Sequence, residues 1–245
     1  MIEQTVDIAT KDGATTTFIV HPERDGPHPV ILFFMDAPAI REELRDMARR
    51  IASAGYYVML PNLYYRKGVM ELGDLPPLPE AEARARMFEL MGSLTIPMVM
   101  DDADALLNYA DRDPAAGKGR VGAIGYCMSG QYAINFAARY PDRVAAAASI
   151  YGVQLVTDRP DSPHLAAQKA KGELYFACAE HDTYAPLEMV ETLDQTVKAK
   201  NLNAEVEIYP GVHHGFAFPQ RAVYDKPAAE RHWERLFALW RRTLG

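Results

Sequence analysis

The sequence predicts an α/β fold, with a mostly parallel central sheet and helices on both faces. Three observations predict it. Short apolar segments alternate with longer segments of helical period, the pattern of strand–helix–strand units. Apolar residues are 49% of 245, and a chain of this length can bury roughly 70–75% of its unfolded surface without disulfide staples. No repeat, low-complexity block or linker interrupts the alternation. One domain over residues 1–245 is therefore expected, with a short cap-like excursion at 66–98.

The elements follow in order. Thr15–Val20 and Val30–Phe34 read as strands around the turn-rich stretch Pro22–Pro29. No helix separates them, so this edge of the sheet is expected to be antiparallel. In Arg41–Ala54, Leu44, Met47, Ala48, Ile51 and Ala54 recur at helical spacing. Gly55 stands where a left-handed cap belongs. Tyr56–Leu60 is a strand stopped by Pro61. In the excursion, Gly68, Gly73, Pro76, Pro77 and Pro79 break the chain before a polar helix, Glu80–Met91. Val99–Ala110 is helical. Then come the strand Val121–Gly125, the helix Ser129–Tyr140 and the strand Val144–Ile150. The last part repeats the pattern: strand Leu174–Ala177, helix Leu187–Lys200, strand Ala204–Tyr209, helix Pro227–Leu244.

Charge narrows the function classes. With 26 basic and 33 acidic residues the net charge is −7, so the basic stripe of a nucleic-acid binder is not expected. No apolar run is long enough to span a membrane, and no secretory pattern opens the chain. A cytoplasmic protein without nucleic-acid or membrane partners is the expectation. Two cysteines, Cys127 and Cys178, exclude a disulfide framework and a cysteine-rich metal site. The glycines form no dinucleotide or P-loop pattern. His213-His214 lacks the spaced partners of a metal site. No cofactor and no metal are expected.

One segment carries chemistry. Gly125-Tyr126-Cys127-Met128-Ser129-Gly130 runs from a strand through a sharp turn into a helix. It resembles the G-x-S-x-G nucleophile elbow, with cysteine as the nucleophile. Small residues are needed two before and two after, because the strained turn leaves no room for side chains. Gly125 meets the first need and Ser129 the second, with Gly130 next to it. A helix beginning near Met128 would point its positive end at the sulfur and favour the thiolate. Packing as a small apolar residue is the competing account of Cys127. Such an elbow requires an acid and then a histidine further along the chain. Asp182 follows a strand 55 residues later, and His214 follows the next strand 32 residues beyond that. Each belongs at the carboxyl end of a parallel strand, the edge where ligands bind in open α/β sheets.

These residues resemble the dienelactone hydrolase family, a cysteine branch of the α/β-hydrolase fold. The resemblance rests on Gly125-Tyr126-Cys127-Met128, Asp182 and His214-Gly215-Phe216. Gly55-Tyr56-Tyr57-Val58-Met59-Leu60-Pro61-Asn62-Leu63-Tyr64 and Tyr209-Pro210-Gly211 agree with it, and it spans roughly Val30 to the C-terminus. It implies a cysteine-dependent hydrolase of a small-molecule lactone or carboxylic ester, acting through an acyl-thioester. A broad carboxylesterase or thioesterase is the alternative. A redox-sensing thiol or a degenerate binding protein is a third, which the intact acid and histidine weigh against.

Roles follow from triad logic. Cys127 attacks the acyl carbon, His214 carries the proton, and Asp182 orients the imidazole. The backbone N–H groups of Met128 and Ala37 are the expected oxyanion donors, since Pro38 has no N–H. His213 competes with His214, and Asp158 and Asp161 compete with Asp182. The family pattern favours His214 and Asp182. His181 is expected in an exposed loop, and Cys178 in the core. Family members often carry a glutamate where Asp36 stands. Asp36 is therefore a candidate thiol-modulating carboxylate, or else an N-cap for the following helix. The family also places a substrate-binding arginine four residues after the histidine, where this chain has Phe218. Tyr64, Tyr65, Tyr184, Phe216 and Phe218 suggest an aromatic substrate pocket instead, with ordinary core as the competing account. Arg84, Arg86 and Arg221 are candidates to reach the site. The sequence does not set the oligomeric state.

Overall fold

The computed structural model describes residues 1–71 and 79–245. Gly73, Pro76 and Pro77 of the expected excursion lie outside the described residues. The chain divides into two compact units, Met1–Gly119 and Arg120–Gly245.

The first unit is built on four strands. β1 (Ile2–Thr10) and β2 (Gly13–His21) form an antiparallel hairpin, with Thr10 opposite Gly13. β2 then pairs antiparallel with β4 (Tyr57–Pro61), and β4 pairs parallel with β3 (Val30–Phe34). The expected antiparallel edge is present, and it holds one strand more than the sequence suggested. β1 lacks an apolar face, since Ile8 alone among its residues is buried. The detectable signal was the turn-forming run Lys11-Asp12-Gly13, of which Lys11 and Asp12 are the loop residues. β3 and β4 are buried throughout, as expected of strands covered on both faces.

α1 (Glu42–Ala52) buries Leu44, Met47, Ala48 and Ile51, the stripe read from the sequence. Glu42 and Glu43 lie in its first turn and Arg49 and Arg50 in its last, each sign matched to the helix dipole. Ala54 falls beyond the helix and is exposed. α2 (Glu80–Gly92) buries only Leu90. α3 (Ile96–Ala110) begins earlier than its apolar spacing suggested. Thr95 caps it by accepting from the Met98 N–H at 3.3 Å, and Pro97 sits in the first turn.

The second unit has four parallel strands in sequence order: β5 (Val121–Tyr126), β6 (Val144–Ile150), β7 (Glu173–His181) and β8 (Ala204–His213). α4 (Gly130–Arg139) packs on β5 and β6, and α7 (Lys226–Leu244) packs on β5, β6 and β7. Two neighbouring strands span about 10 Å, roughly one helix diameter, so α4 and α7 cover opposite faces. A short α5 (Pro163–Ala166) precedes β7, and α6 (Leu187–Ala199) packs on β8. β7 and β8 run on past their apolar cores at the carboxyl end, to His181 and His213, so Asp182 is the first residue past β7 and His214 the first past β8. Among the described residues no helix is long and apolar enough to cross a membrane.

Candidate active site

The elbow shows why its residue types are needed. After Tyr126 ends β5, Cys127–Ser129 form one 3-10 turn, and α4 begins only at Gly130. Cys127 therefore opens a 3-10 turn, and the regular α-helix starts at Gly130 rather than near Met128. That turn's own bond runs from the Gly130 N–H to the Cys127 carbonyl. Cys127 has φ of 52°, a left-handed backbone that costs a side-chain-bearing residue about 1–3 kcal/mol. A Cβ at Gly125 would lie 2.0 Å from the Ser129 carbonyl oxygen. One at Gly130 would lie 2.3 Å from Ser149 Oγ and 2.6 Å from the Gly152 Cα. The small-residue requirement thus falls at 125 and 130, while Ser129 is fully buried. Gln131 secures the turn by donating to the Met128 carbonyl at 3.1 Å.

Strand register brings the other two residues together. β7 and β8 are parallel neighbours with His181 opposite His213, so residues 182 and 214 emerge side by side. Asp182 Oδ1 accepts from the N–H groups of Tyr184 (2.8 Å) and Ala185 (3.0 Å). These two bonds fix the carboxylate and leave Oδ2 for His214 Nδ1, at 2.7 Å. Gly215, at φ of 94°, turns the chain immediately after the histidine. With Nδ1 bound to Asp182, His214 uses its other ring nitrogen for a hydrogen bond with Cys127.

Burial by itself lowers the pKa of the His214 imidazole, but hydrogen bonds to Asp182 and Cys127 outweigh it and raise the value to about 9. The unfolded chain releases this proton near the ordinary value of about 6.5. The stabilisation is therefore complete below about pH 6.5 and disappears as pH rises through about 9. Melting temperatures of wild type and His214→Ala measured from pH 6 to 10 should converge across that window. A constant gap would contradict the coupling.

A further tyrosine, not singled out from sequence, belongs to this cluster. Tyr151 follows β6 with φ of 37°, an unusual backbone for a bulky residue that costs about 1–3 kcal/mol. Its ring centroid lies 5.0 Å from that of His214 and 5.3 Å from that of Phe216. Tyr184 also sets its ring 5.0 Å from His214. The only sequence cue to Tyr151 was the Tyr151-Gly152 pair at a strand end.

The other candidates separate by position. His213 is the last residue of β8 and is exposed, with its ring 5.2 Å from that of His181. Asp161 pairs with Arg159 at 3.3 Å. Cys178 is buried, and burial, followed by the charge of Asp182, pushes its thiol up to about 12. Phe216 and Phe218 are fully buried, so they form interior packing and not an open pocket wall. The Phe218 ring lies 5.3 Å from that of Tyr126. Tyr184, at 44% exposed, is the one expected pocket residue of this unit that meets solvent. Arg221 sets its guanidinium 5.2 Å from the Phe218 ring centroid, and its Cδ would be 3.0 Å from a Cβ on Gly215.

In the first unit, Tyr64 is also fully buried and donates to the Ala37 carbonyl at 2.9 Å. Tyr65 turns toward α3 and β1, donating to Asp102 at 2.8 Å and meeting Thr10 at 2.7 Å. Neither lines an open pocket: hydroxyl partners draw both rings into local structure. Asp36 is fully buried, and its oxygens accept from Arg41 at 2.6 and 3.1 Å. The N-cap of α1 is Arg41, so Asp36 does not cap that helix. Four residues lie between Asp36 and the cap position. Arg86 pairs with Glu89 at 2.6 Å, and Arg84 lies over Phe88.

The strand order, the elbow and the hydrolase-like arrangement of Asp182 and His214 define an α/β-hydrolase fold. The comparisons agree. The model of the dienelactone hydrolase family matches residues 15–244. A Synechocystis protein provisionally named a carboxymethylenebutenolidase is 28% identical over 231 residues, covering 93% of this chain and 91% of its own. The crystal structure of a provisionally named dienelactone hydrolase from Klebsiella pneumoniae superposes with a TM-score of 0.86 at 26% identity, covering 98% of both chains. A Pyrococcus horikoshii acylaminoacyl peptidase shares the fold with a TM-score of 0.72 at 17% identity, over 99% of this chain and 42% of that one. The chain belongs to the dienelactone hydrolase family. It is a hydrolase acting on ester bonds, and enzymes of this family take small-molecule esters or lactones.

Proposed function

We propose that this hydrolase works through Cys127, His214 and Asp182 by way of an acyl-thioester. The observation that carries the reading is the chain of contacts from Asp182 Oδ2 through His214 to Cys127. With the proton on His214, the sulfur attacks the acyl carbon as a thiolate. A C–S bond forms and the carbonyl electron pair moves to oxygen, met by the Met128 N–H. Collapse breaks the ester C–O bond, and the imidazolium gives its proton to the leaving alkoxide. The neutral imidazole then takes a proton from water, hydroxide adds to the thioester, and the thiolate leaves. Asp182 holds Nδ1–H throughout, which keeps the reactive nitrogen facing the sulfur. The roles expected of Ala37 and Asp36 rest on the sequence.

Asp182→Asn should lower the acylation rate about 10²–10⁴-fold, because an amide can donate to Nδ1 and reverse the tautomer. Stopped-flow release of p-nitrophenol measures it. A variant within threefold of wild type would remove Asp182 from the mechanism.

A second substrate reading has its own observation. Phe218, buried where the family carries an arginine, supplies no charge for a substrate carboxylate. Uncharged esters or thioesters then fit better than carboxylate-bearing lactones. A panel of p-nitrophenyl esters, thioesters, and lactones with and without a carboxylate tests both readings. Preference for carboxylate-bearing lactones would reject the uncharged class.

A further inference from the structure

We propose that Tyr151 is a positioning residue for His214, and that its strained backbone is retained because it delivers the ring to the imidazole. The inference rests on the proposed role of His214. A glycine or asparagine would take φ of 37° readily, yet the chain places a tyrosine there. The turn that holds it is fixed from three sides. The Tyr151 N–H donates to the Ala177 carbonyl of β7 at 2.6 Å. The Val153 N–H donates to the Cys127 carbonyl at 3.1 Å. A Cβ on Gly152 would meet Ser149 Oγ at 2.1 Å and the Gly130 Cα at 3.2 Å. The turn is therefore packed directly on the elbow and has no room to relax. Its side chain is 1% exposed. The ring lies 5.0 Å from His214, 5.3 Å from Phe216 and 5.8 Å from Tyr126, the residue before the nucleophile. One side chain thus touches the base, the segment that follows the base and the strand end that carries the sulfur. Asp182 and Cys127 hold the two ring nitrogens, and the rings of Tyr184 and Tyr151 each lie 5.0 Å from the imidazole, so rotation about the line of the two bonded nitrogens is left to packing. Packing by Tyr151 restricts that rotation and keeps the second nitrogen aimed at Cys127.

The test is a double-mutant cycle on acylation by p-nitrophenyl acetate, using Tyr151→Phe, Tyr151→Leu, His214→Ala and the Tyr151→Leu/His214→Ala pair. Tyr151→Leu keeps an apolar side chain in a buried place where alanine would endanger folding, and melting curves check each variant. Phe should stay within threefold of wild type, because the ring and not the hydroxyl does the positioning. Leu should slow acylation about 30–100-fold with KM changed less than threefold. The downfield Nδ1 proton resonance of His214 should broaden in Leu and stay sharp in Phe. With His214 already gone, Tyr151→Leu should cost no further rate, since a residue acting through another shows no separate effect. A Leu variant with wild-type acylation, equal losses in Phe and Leu, or additive losses in the double variant would each overturn the proposal. Full acylation in His214→Ala would instead overturn the reading on which it rests.

Discussion

Cys127→Ala folds as wild type and releases no burst of p-nitrophenol, and its kcat is at least about 10⁴-fold lower. No other group can take over the attack. Ser129, the nearest serine in the chain, and the adjacent Tyr126, whose hydroxyl meets His232, are both fully buried. Cys178 is buried, and its thiol is pushed up to about 12, so it is not ionised near neutral pH. Cys178→Ala is the matched control. It should keep wild-type kinetics and lose about 1 kcal/mol of stability, the cost of a small buried group. Steady-state and burst kinetics of the two variants give the answer together. Turnover retained in Cys127→Ala would remove the cysteine from the mechanism, and turnover lost in Cys178→Ala would show that the wrong one was chosen.

The second large effect is expected at Gly125, which touches no substrate. Gly125→Ala would bring a methyl group to 2.0 Å from the Ser129 carbonyl oxygen. That neighbour is backbone at the entry to α4, so no side chain can swing aside. The strand end or the 3-10 turn must move, at about 3 kcal/mol for overpacking of this kind. For a chain of 245 residues, each kcal/mol lowers the melting temperature by roughly 2–4 °C, giving a drop of about 6–12 °C. Activity should fall further than stability does, because the same movement alters the φ of 52° that presents the sulfur. Differential scanning calorimetry with acylation kinetics on the folded fraction separates the two effects. A variant with unchanged melting temperature and rate would refute the crowding argument.

The contrast between three strand-end residues and their surroundings shows what a sequence can carry. The positions of Cys127, Asp182 and His214 were legible because each follows a strand, and strand ends are marked by local composition. Their hydrogen bond was also foreseeable, since β7 and β8 are parallel neighbours in register. Tyr151 was not legible. Its backbone angle arises from the contact of Gly130 with Ser149 and Gly152, which joins parts of the chain about twenty residues apart. The burial of Phe216 and Phe218 was illegible for another reason. Phe216 and Phe218 have the same composition whether they line a cavity or fill a core, and only burial distinguishes the two. Asp36 likewise reads as a thiol-modulating carboxylate or as an N-cap, and only the structure puts Arg41 at the cap position and on both of its oxygens. β1 was missed although its burial alternates, because the less exposed face, Gln4, Val6, Ile8 and Thr10, is half polar and only Ile8 is buried.

The acyl-thioester at Cys127 is the central claim, and trapping it is the most direct measurement. Wild-type protein mixed with excess p-nitrophenyl acetate and acid-quenched during the burst is digested and analysed by mass spectrometry. The account predicts one acetyl group on the peptide containing Cys127, removed by neutral hydroxylamine as a thioester is. The adduct should accumulate faster than it decays in wild type and be absent in Cys127→Ala. An acetyl group on another residue whose formation keeps pace with turnover, or steady turnover with no adduct at residue 127, would contradict it.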